Sequence, residues 1–127
     1  FARAGHCPAL LVRENVVKTF KPSGIGLGLT NNGLFSNHLE EIKIDLKQND
    51  TLVFYTDGIT EAKNAELEDF GEQRFAEILI KNSNESVNKI ANEVIKNVTL
   101  FSRNHSQYDD ITLVIFKWYK KNNIDGV

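Results

Sequence analysis

The sequence predicts an antiparallel α+β fold. Three observations carry this reading. Two short apolar runs near the start flank a pair of turn residues. Strand-like runs fill the middle of the chain. Two helical periodicities then stand together ahead of one last apolar run. Strands first and helices later, without regular β–α alternation, argue against a doubly wound parallel sheet.

The elements follow in chain order. FARAGH (1–6) reads as a strand ended by Gly5 and Pro8. ALLVRENVVKTF reads as a hairpin: Ala9–Arg13 and Val16–Phe20 flank Glu14-Asn15, and Asn tolerates turn geometry. KPSGIGLGLTNNG (21–33) holds four glycines and one proline, so it reads as a loop. In LEEIKIDL (39–46), Ile42, Ile44 and Leu46 alternate with Glu41, Lys43 and Asp45, the pattern of a half-buried strand. KQND is a turn. TLVFYT (51–56) is almost continuously apolar, which suits a strand covered on both faces.

The period changes after Asp57-Gly58. GEQRFAEILIKN places Phe75, Ile78 and Leu79 on one helical face. In SNESVNKIANEVIKNVTLF the stripe is longer, running through Val87, Ile90, Ala91, Val94, Ile95, Val98 and Phe101, with Ser83 or Asn84 as the expected N-cap. SRNHSQYDD is a polar loop, ITLVIFKWY a final strand, and the residues beyond it a polar tail.

Composition bounds the function. The chain has 127 residues, 41% hydrophobic and 25% charged, a globular mix that can bury a core. The net charge is −2 and no Lys/Arg block appears, so nucleic acid is not an expected partner. No apolar run approaches the roughly 18 residues of a membrane span, and no membrane contact is expected from this segment. One cysteine, Cys7, allows neither an internal disulfide nor a CxxC zinc site. With no signal-peptide pattern, a reducing, cytoplasmic location is expected.

Two short acidic motifs could carry chemistry. Asp57-Gly58 closes the TLVFYT run, and Asp109-Asp110 precedes the last strand. Each has an ordinary explanation: Asp-Gly is a favoured hairpin turn, and an Asp pair suits a solvated loop end. Together they offer another. Two carboxylates held at neighbouring strand ends repel, and a hard divalent cation relieves that repulsion. Oxygen-only donors suit Mg²⁺ or Mn²⁺ better than zinc, and Gly58 lets the chain turn without a Cβ crowding the site. These residues alone leave both readings open.

Other signals are weaker. His6 could move a proton, though a lone His at a strand end more often serves a turn. Cys7 has no basic activator and reads as a small apolar residue. GIGLGLTNNG lacks both the dinucleotide and the P-loop spacing. The apolar face of the 84–101 helix is read as packing on its own sheet.

ARAGHCPALLVR, DTLVFYTDGITEA, FGEQRF and DDITLVIFK occur in that order. The set resembles the C-terminal half of the SpoIIE/RsbU-type bacterial branch of the PPM (type 2C-like) metal-dependent serine/threonine phosphatases, over residues 1–118. The resemblance implies two packed antiparallel sheets flanked by helices, a β-sandwich of which this chain is an incomplete C-terminal portion, with residues 119–127 as a polar tail. It implies a dinuclear Mn²⁺ or Mg²⁺ site, where a metal-activated water attacks phosphoserine or phosphothreonine. Asp57 matches the aspartate of the family's DG motif and Asp109 the first aspartate of its D-D/N-[IM]-T motif, so both are expected as metal ligands. Asp110 and Gly58 are expected beside them, and no catalytic residue is expected beyond the ligands. The implied substrate is a STAS-domain anti-anti-sigma regulator, and homodimerisation is a further option.

The departures matter as much. No Gly-Asp pair precedes Asp57, although the family's bridging aspartate stands in one. The family's GHPPP reads GHCPA here, and its PLG loop reads IGLGL. The chain is therefore expected to be a fragment of a larger protein, inactive in isolation. The rival reading is a non-catalytic pseudophosphatase or a protein-binding module. A generic cation-binding domain is a third.

Overall fold

The computed structural model describes residues 1–30, 34–103 and 109–119. The predicted hairpin forms with the predicted bounds: β1 (Ala9–Arg13) pairs antiparallel with β2 (Val16–Phe20). Glu14 and Asn15 turn at φ 51° and 62°. Two successive left-handed residues make the type I′ geometry that matches strand twist.

β3 (Thr51–Tyr55) joins the other side of β1, and β4 (Leu113–Lys117) joins β3. The sheet order is β2-β1-β3-β4, with every neighbour antiparallel. Two short helices were not anticipated, α1 (Leu34–Asn37) and α2 (Asp57–Thr60). The long ones are α3 (Gly71–Lys81) and α4 (Val87–Phe101).

The core lies between one sheet face and these two helices. Leu10, Val12, Val53 and Tyr55 supply the sheet side. Phe75 and Leu79 come from α3, and Ile90, Val94 and Val98 from α4. The helical residues stand four apart, the spacing that aligns side chains on one face. Burying side chains of this size contributes about 1.5–3 kcal/mol each. Tyr55 and Phe75 meet edge to face, with ring centroids 4.9 Å apart.

The α4 cap differs from expectation. Ser86 takes the position, its hydroxyl accepting the Lys89 amide at 3.3 Å. Ser83 is held in the preceding turn instead, because Lys117 Nζ donates to the carbonyls of Ser83 and Glu85 at 2.7 and 2.8 Å.

Two expected strands do not form ladders. Residues 1–6 make a single bridge, Ala2 to Glu41. Gly5 turns the chain at φ 76°, and Arg3 donates to the carbonyls of Pro22 and His6, fixing a bend. In residues 39–46 the alternation of exposure is as expected, with Ile42, Ile44 and Leu46 half-buried and their neighbours exposed. Around that bridge Phe1 and Ile42 exchange two backbone bonds, and the Glu40 amide donates to the Ser23 carbonyl at 3.0 Å, but no ladder forms. Alternation reports which side of a chain is covered, not whether a strand lies alongside.

β3 is not covered on both faces as expected. Thr51, Val53 and Tyr55 are buried, while Leu52 and Phe54 are half-buried. The face they share carries an aromatic row. Phe1 packs edge to face on Phe20 and Phe54, and Phe54 on Phe116. Phe116 is 57% exposed and Trp118 50%, and no described helix covers this side. Among the described residues no helix is long and apolar enough to cross a membrane.

Candidate metal centre

The antiparallel pairing of β3 and β4 decides the site. It places the end of one strand beside the start of the other, so the two acidic motifs meet. Thr56 and Asp110 are 54 residues apart in sequence, yet the Thr56 hydroxyl donates to the Asp110 carbonyl at 2.9 Å. The same hydroxyl accepts the Thr112 amide at 2.9 Å, and the Thr56 amide donates to the Thr112 carbonyl at 3.1 Å.

Asp57-Gly58 is not the hairpin turn that its composition favours. It opens α2, with Thr56 as an extended N-cap. The Glu61 amide donates to the Asp57 carbonyl at 2.8 Å, closing the turn. Ile59 is completely buried and pins α2 into the core, while Asp57 stays exposed. Gly58 is buried against the other motif. A Cβ there would lie 2.6 Å from the Asp110 carbonyl oxygen and 3.3 Å from that of Asp109. Only glycine permits so close an approach.

Asp109 and Asp110 are exposed. The Asp110 amide donates to Asp109 Oδ1 at 2.7 Å, which orients that carboxylate. Asp110 joins the site through its backbone carbonyl, the acceptor for Thr56. The rest of the predicted SRNHSQYDD loop, residues 104–108, lies outside the described residues.

Cys7 reports the local field. Burial raises its thiol pKa first, and the negative charges of Asp57, Glu61 and Glu72 raise it further. A thiol held protonated is a poor nucleophile, in line with the apolar reading of Cys7. Burial pushes the neighbouring Tyr55 phenol up to about 12, aided by Glu72 and Cys7. His6 is exposed, with Nδ1 3.4 Å from the Cys7 carbonyl oxygen, a local contact typical of a turn residue. Glu61 and Glu72 were not singled out in the sequence. For Glu61 the signal was present, four residues after Asp57 on a chain that turns helically. Glu72 lies in the FGEQRF motif, but only packing of α3 brings it near Cys7.

The donors here are carboxylates, the chemistry of a hard cation. The glycine at the crossing leaves room for the two motifs to converge. The carboxylates of Asp57 and Asp109 have the donor chemistry that such an ion takes. Among the described residues, no group of three or more His, Cys, Asp or Glu side chains is placed to hold one.

Comparison with known proteins identifies relatives. The family model described as Stage II sporulation protein E (SpoIIE) matches residues 1–119. Protein IcfG of Synechocystis is 31% identical over 118 residues, covering 90% of this chain and 17% of that protein. The SiaA-PP2C domain of Pseudomonas aeruginosa superposes with a TM-score of 0.75 at 20% identity, over 87% of this chain and 43% of that one. The phosphatase domain of SpoIIE from Bacillus subtilis, presoaked with Mn, gives 0.69 at 22% identity, over 96% and 50%. The RsbU and RsbW domains of Rv1364c from Mycobacterium tuberculosis give 0.68 at 25% identity, over 90% and 30%. The chain thus spans half or less of each of these proteins.

Proposed function

The chain belongs to the SpoIIE family of PP2C-type phosphatase domains, and from that membership we propose that its parent protein hydrolyses phosphoserine or phosphothreonine on a signalling protein. Residues 1–118 form the C-terminal part of the phosphatase domain, and 119–127 a tail of which 120–127 lie outside the described residues. The observation that carries the reading is the crossing of Gly58 with the Asp109–Asp110 backbone. It brings the backbones of the two motifs together at one end of the sheet, which supports a shared role for their aspartates.

In this reading Asp57 and Asp109 hold a divalent cation, Mn²⁺ or Mg²⁺, and further donors come from the rest of the domain. When bound, such cations activate water near neutral pH and neutralise phosphoryl charge. The chain's own contribution is placement. Ile59 anchors the turn that carries Asp57. The Asp110 amide holds one oxygen of Asp109 and so fixes the direction of that carboxylate.

The substrate we propose is a STAS-domain anti-anti-sigma regulator, acted on in the cytoplasm. This finer reading draws on the family resemblance and on the pairing of RsbU with RsbW domains in the mycobacterial relative.

The test is Mn²⁺-dependent hydrolysis of a phosphate ester by the full-length parent, beside its Asp57→Asn variant. Activity that needs Mn²⁺ and is lost in the variant is the expected result. A folded parent without activity would leave a protein-binding module as the better account.

A further inference from the structure

We propose that Thr56 is a positioning residue for the cation, acting by fixing the gap between the Asp57 turn and the Asp109–Asp110 segment. The proposal rests on the reading that Asp57 and Asp109 hold the ion.

The argument starts at the end of a ladder. β3 and β4 pair from Thr51–Lys117 to Tyr55–Leu113. One step further, the Thr56 amide still donates to the Thr112 carbonyl at 3.1 Å. The Thr112 amide donates to the Thr56 side-chain hydroxyl at 2.9 Å. The hydroxyl thus takes the place that a backbone carbonyl holds along the ladder. The Thr56 carbonyl accepts the Ile59 amide at 3.2 Å, inside the α2 turn. One threonine therefore lets the chain leave the sheet and start a helical turn while staying attached to β4.

Its proton is used as well. The hydroxyl donates to the Asp110 carbonyl at 2.9 Å, the oxygen that Gly58 approaches. Thr56 precedes Asp57, and its partners lie one and three residues beyond Asp109. Both of its side-chain bonds thus end on the segment that carries the second carboxylate. Carboxylates that share an ion must be held to within about 0.5 Å of the working geometry. An N-cap threonine ordinarily turns its side chain back to its own helix. Thr56 makes no such cap bond, so its hydroxyl serves the crossing and not the helix.

The measurement is Mn²⁺ affinity of the full-length protein, read as free Mn²⁺ by electron paramagnetic resonance, with melting temperature alongside. Thr56→Val keeps the shape and removes both bonds, and should weaken Mn²⁺ binding by about 10–100-fold. Thr56→Ser keeps the hydroxyl and should bind within about twofold of wild type. Val98→Ala, in the remote α4 core, controls for stability: it should lower the melting temperature and leave Mn²⁺ affinity unchanged. Should Thr56→Val not fold, the serine variant still decides, because a tenfold or greater loss there would overturn the role given to the hydroxyl. Normal Mn²⁺ binding by Thr56→Val, with binding lost in Asp57→Asn, would overturn the role of Thr56 alone. Equal binding by wild type and Asp57→Asn would overturn the cation reading and Thr56's role with it.

Discussion

Gly58 and Asp110 touch backbone to backbone: a methyl group on Gly58 would stand 2.6 Å from the Asp110 carbonyl oxygen. Neither residue can yield cheaply. Gly58 lies in the α2 turn anchored by the buried Ile59, and the Asp110 carbonyl is held by Thr56. Gly58→Ala should therefore push the two motifs apart. The expected cost is about 1–3 kcal/mol of stability, the usual range for overpacking. Metal-dependent activity of the parent should fall more steeply than stability. Chemical denaturation beside a Mn²⁺ titration of the rate checks this, and a fully active, equally stable variant would contradict it.

Asp57→Asn and Asp109→Asn should each abolish Mn²⁺-dependent hydrolysis by the parent while preserving its fold. If Asp57 and Asp109 share an ion, removing one negative charge relieves repulsion in the metal-free protein. Its melting temperature without metal should hold or rise, and the rise caused by added Mn²⁺ should vanish. Calorimetry with and without Mn²⁺ reads both effects. An unchanged rate in either variant would refute the ligand assignment.

Arg13 and Asp50 tie the far end of the sheet. Arg13 Nε donates to Asp50 Oδ1 at 2.8 Å, and the Lys47 amide donates to Oδ2 at 2.7 Å. The Asp50 carboxyl is buried, and the Arg13 bond holds its pKa below the ordinary carboxylate value. The unfolded chain then binds this proton more readily than the folded one. The stabilisation is fully present above the unfolded value of about 3.9 and is lost as pH falls through the lower folded value. Asp50→Asn should cost about 2 kcal/mol at pH 7, the scale of lost charge-assisted hydrogen bonds. It should also flatten the acid limb of the stability curve. Melting temperatures of both proteins from pH 7 to pH 3 test this, and parallel curves would disprove it.

Leu67 sits at the tip of the 61–70 loop with φ 64° and is 63% exposed. Asn64 sets the bend: its Oδ1 accepts the amides of Glu66 and Glu68 at 3.1 and 2.9 Å. A leucine in the left-handed region is strained by its Cβ, and its exposed side chain recovers little by burial. Leu67→Gly should stabilise the protein by about 0.5–1 kcal/mol, the left-handed penalty less the extra freedom of an unfolded glycine. A lower denaturation midpoint would show that the side chain has a partner in the parent.

The aromatic row on the open sheet face gives a test of the incomplete domain. Phe116 is 57% exposed here. An exposed aromatic replaced by alanine usually changes stability by about 0.5 kcal/mol or less. In the parent, a second sheet is expected over this face. Phe116→Ala should then cost about 3 kcal/mol or more, as for a core phenylalanine. A small change in the full-length protein would mean that the face stays open.

Local pattern alone determined a good deal of this protein. The hairpin bounds, Asn15 in its turn, and the stripes of α3 and α4, apart from Ile95, which is 40% exposed, follow from residue spacing and backbone preference. These depend on neighbours within a turn or two. The ordered motifs also placed the chain in its family. Tertiary structure decided the rest. LEEIKIDL alternates like a strand but has no ladder, because pairing depends on a partner that its own residues do not encode. TLVFYT reads as doubly covered, yet half of that cover is absent from the described residues. Asp57-Gly58 suits a hairpin turn, and packing of Ile59 turns it into the start of a helix instead. The meeting of Asp57 with Asp109–Asp110 is set by the antiparallel register of β3 and β4, a long-range pairing. No local pattern carries that information, and the hydroxyl of Thr56 that fastens the crossing looks, in the sequence, like any other threonine at a strand end.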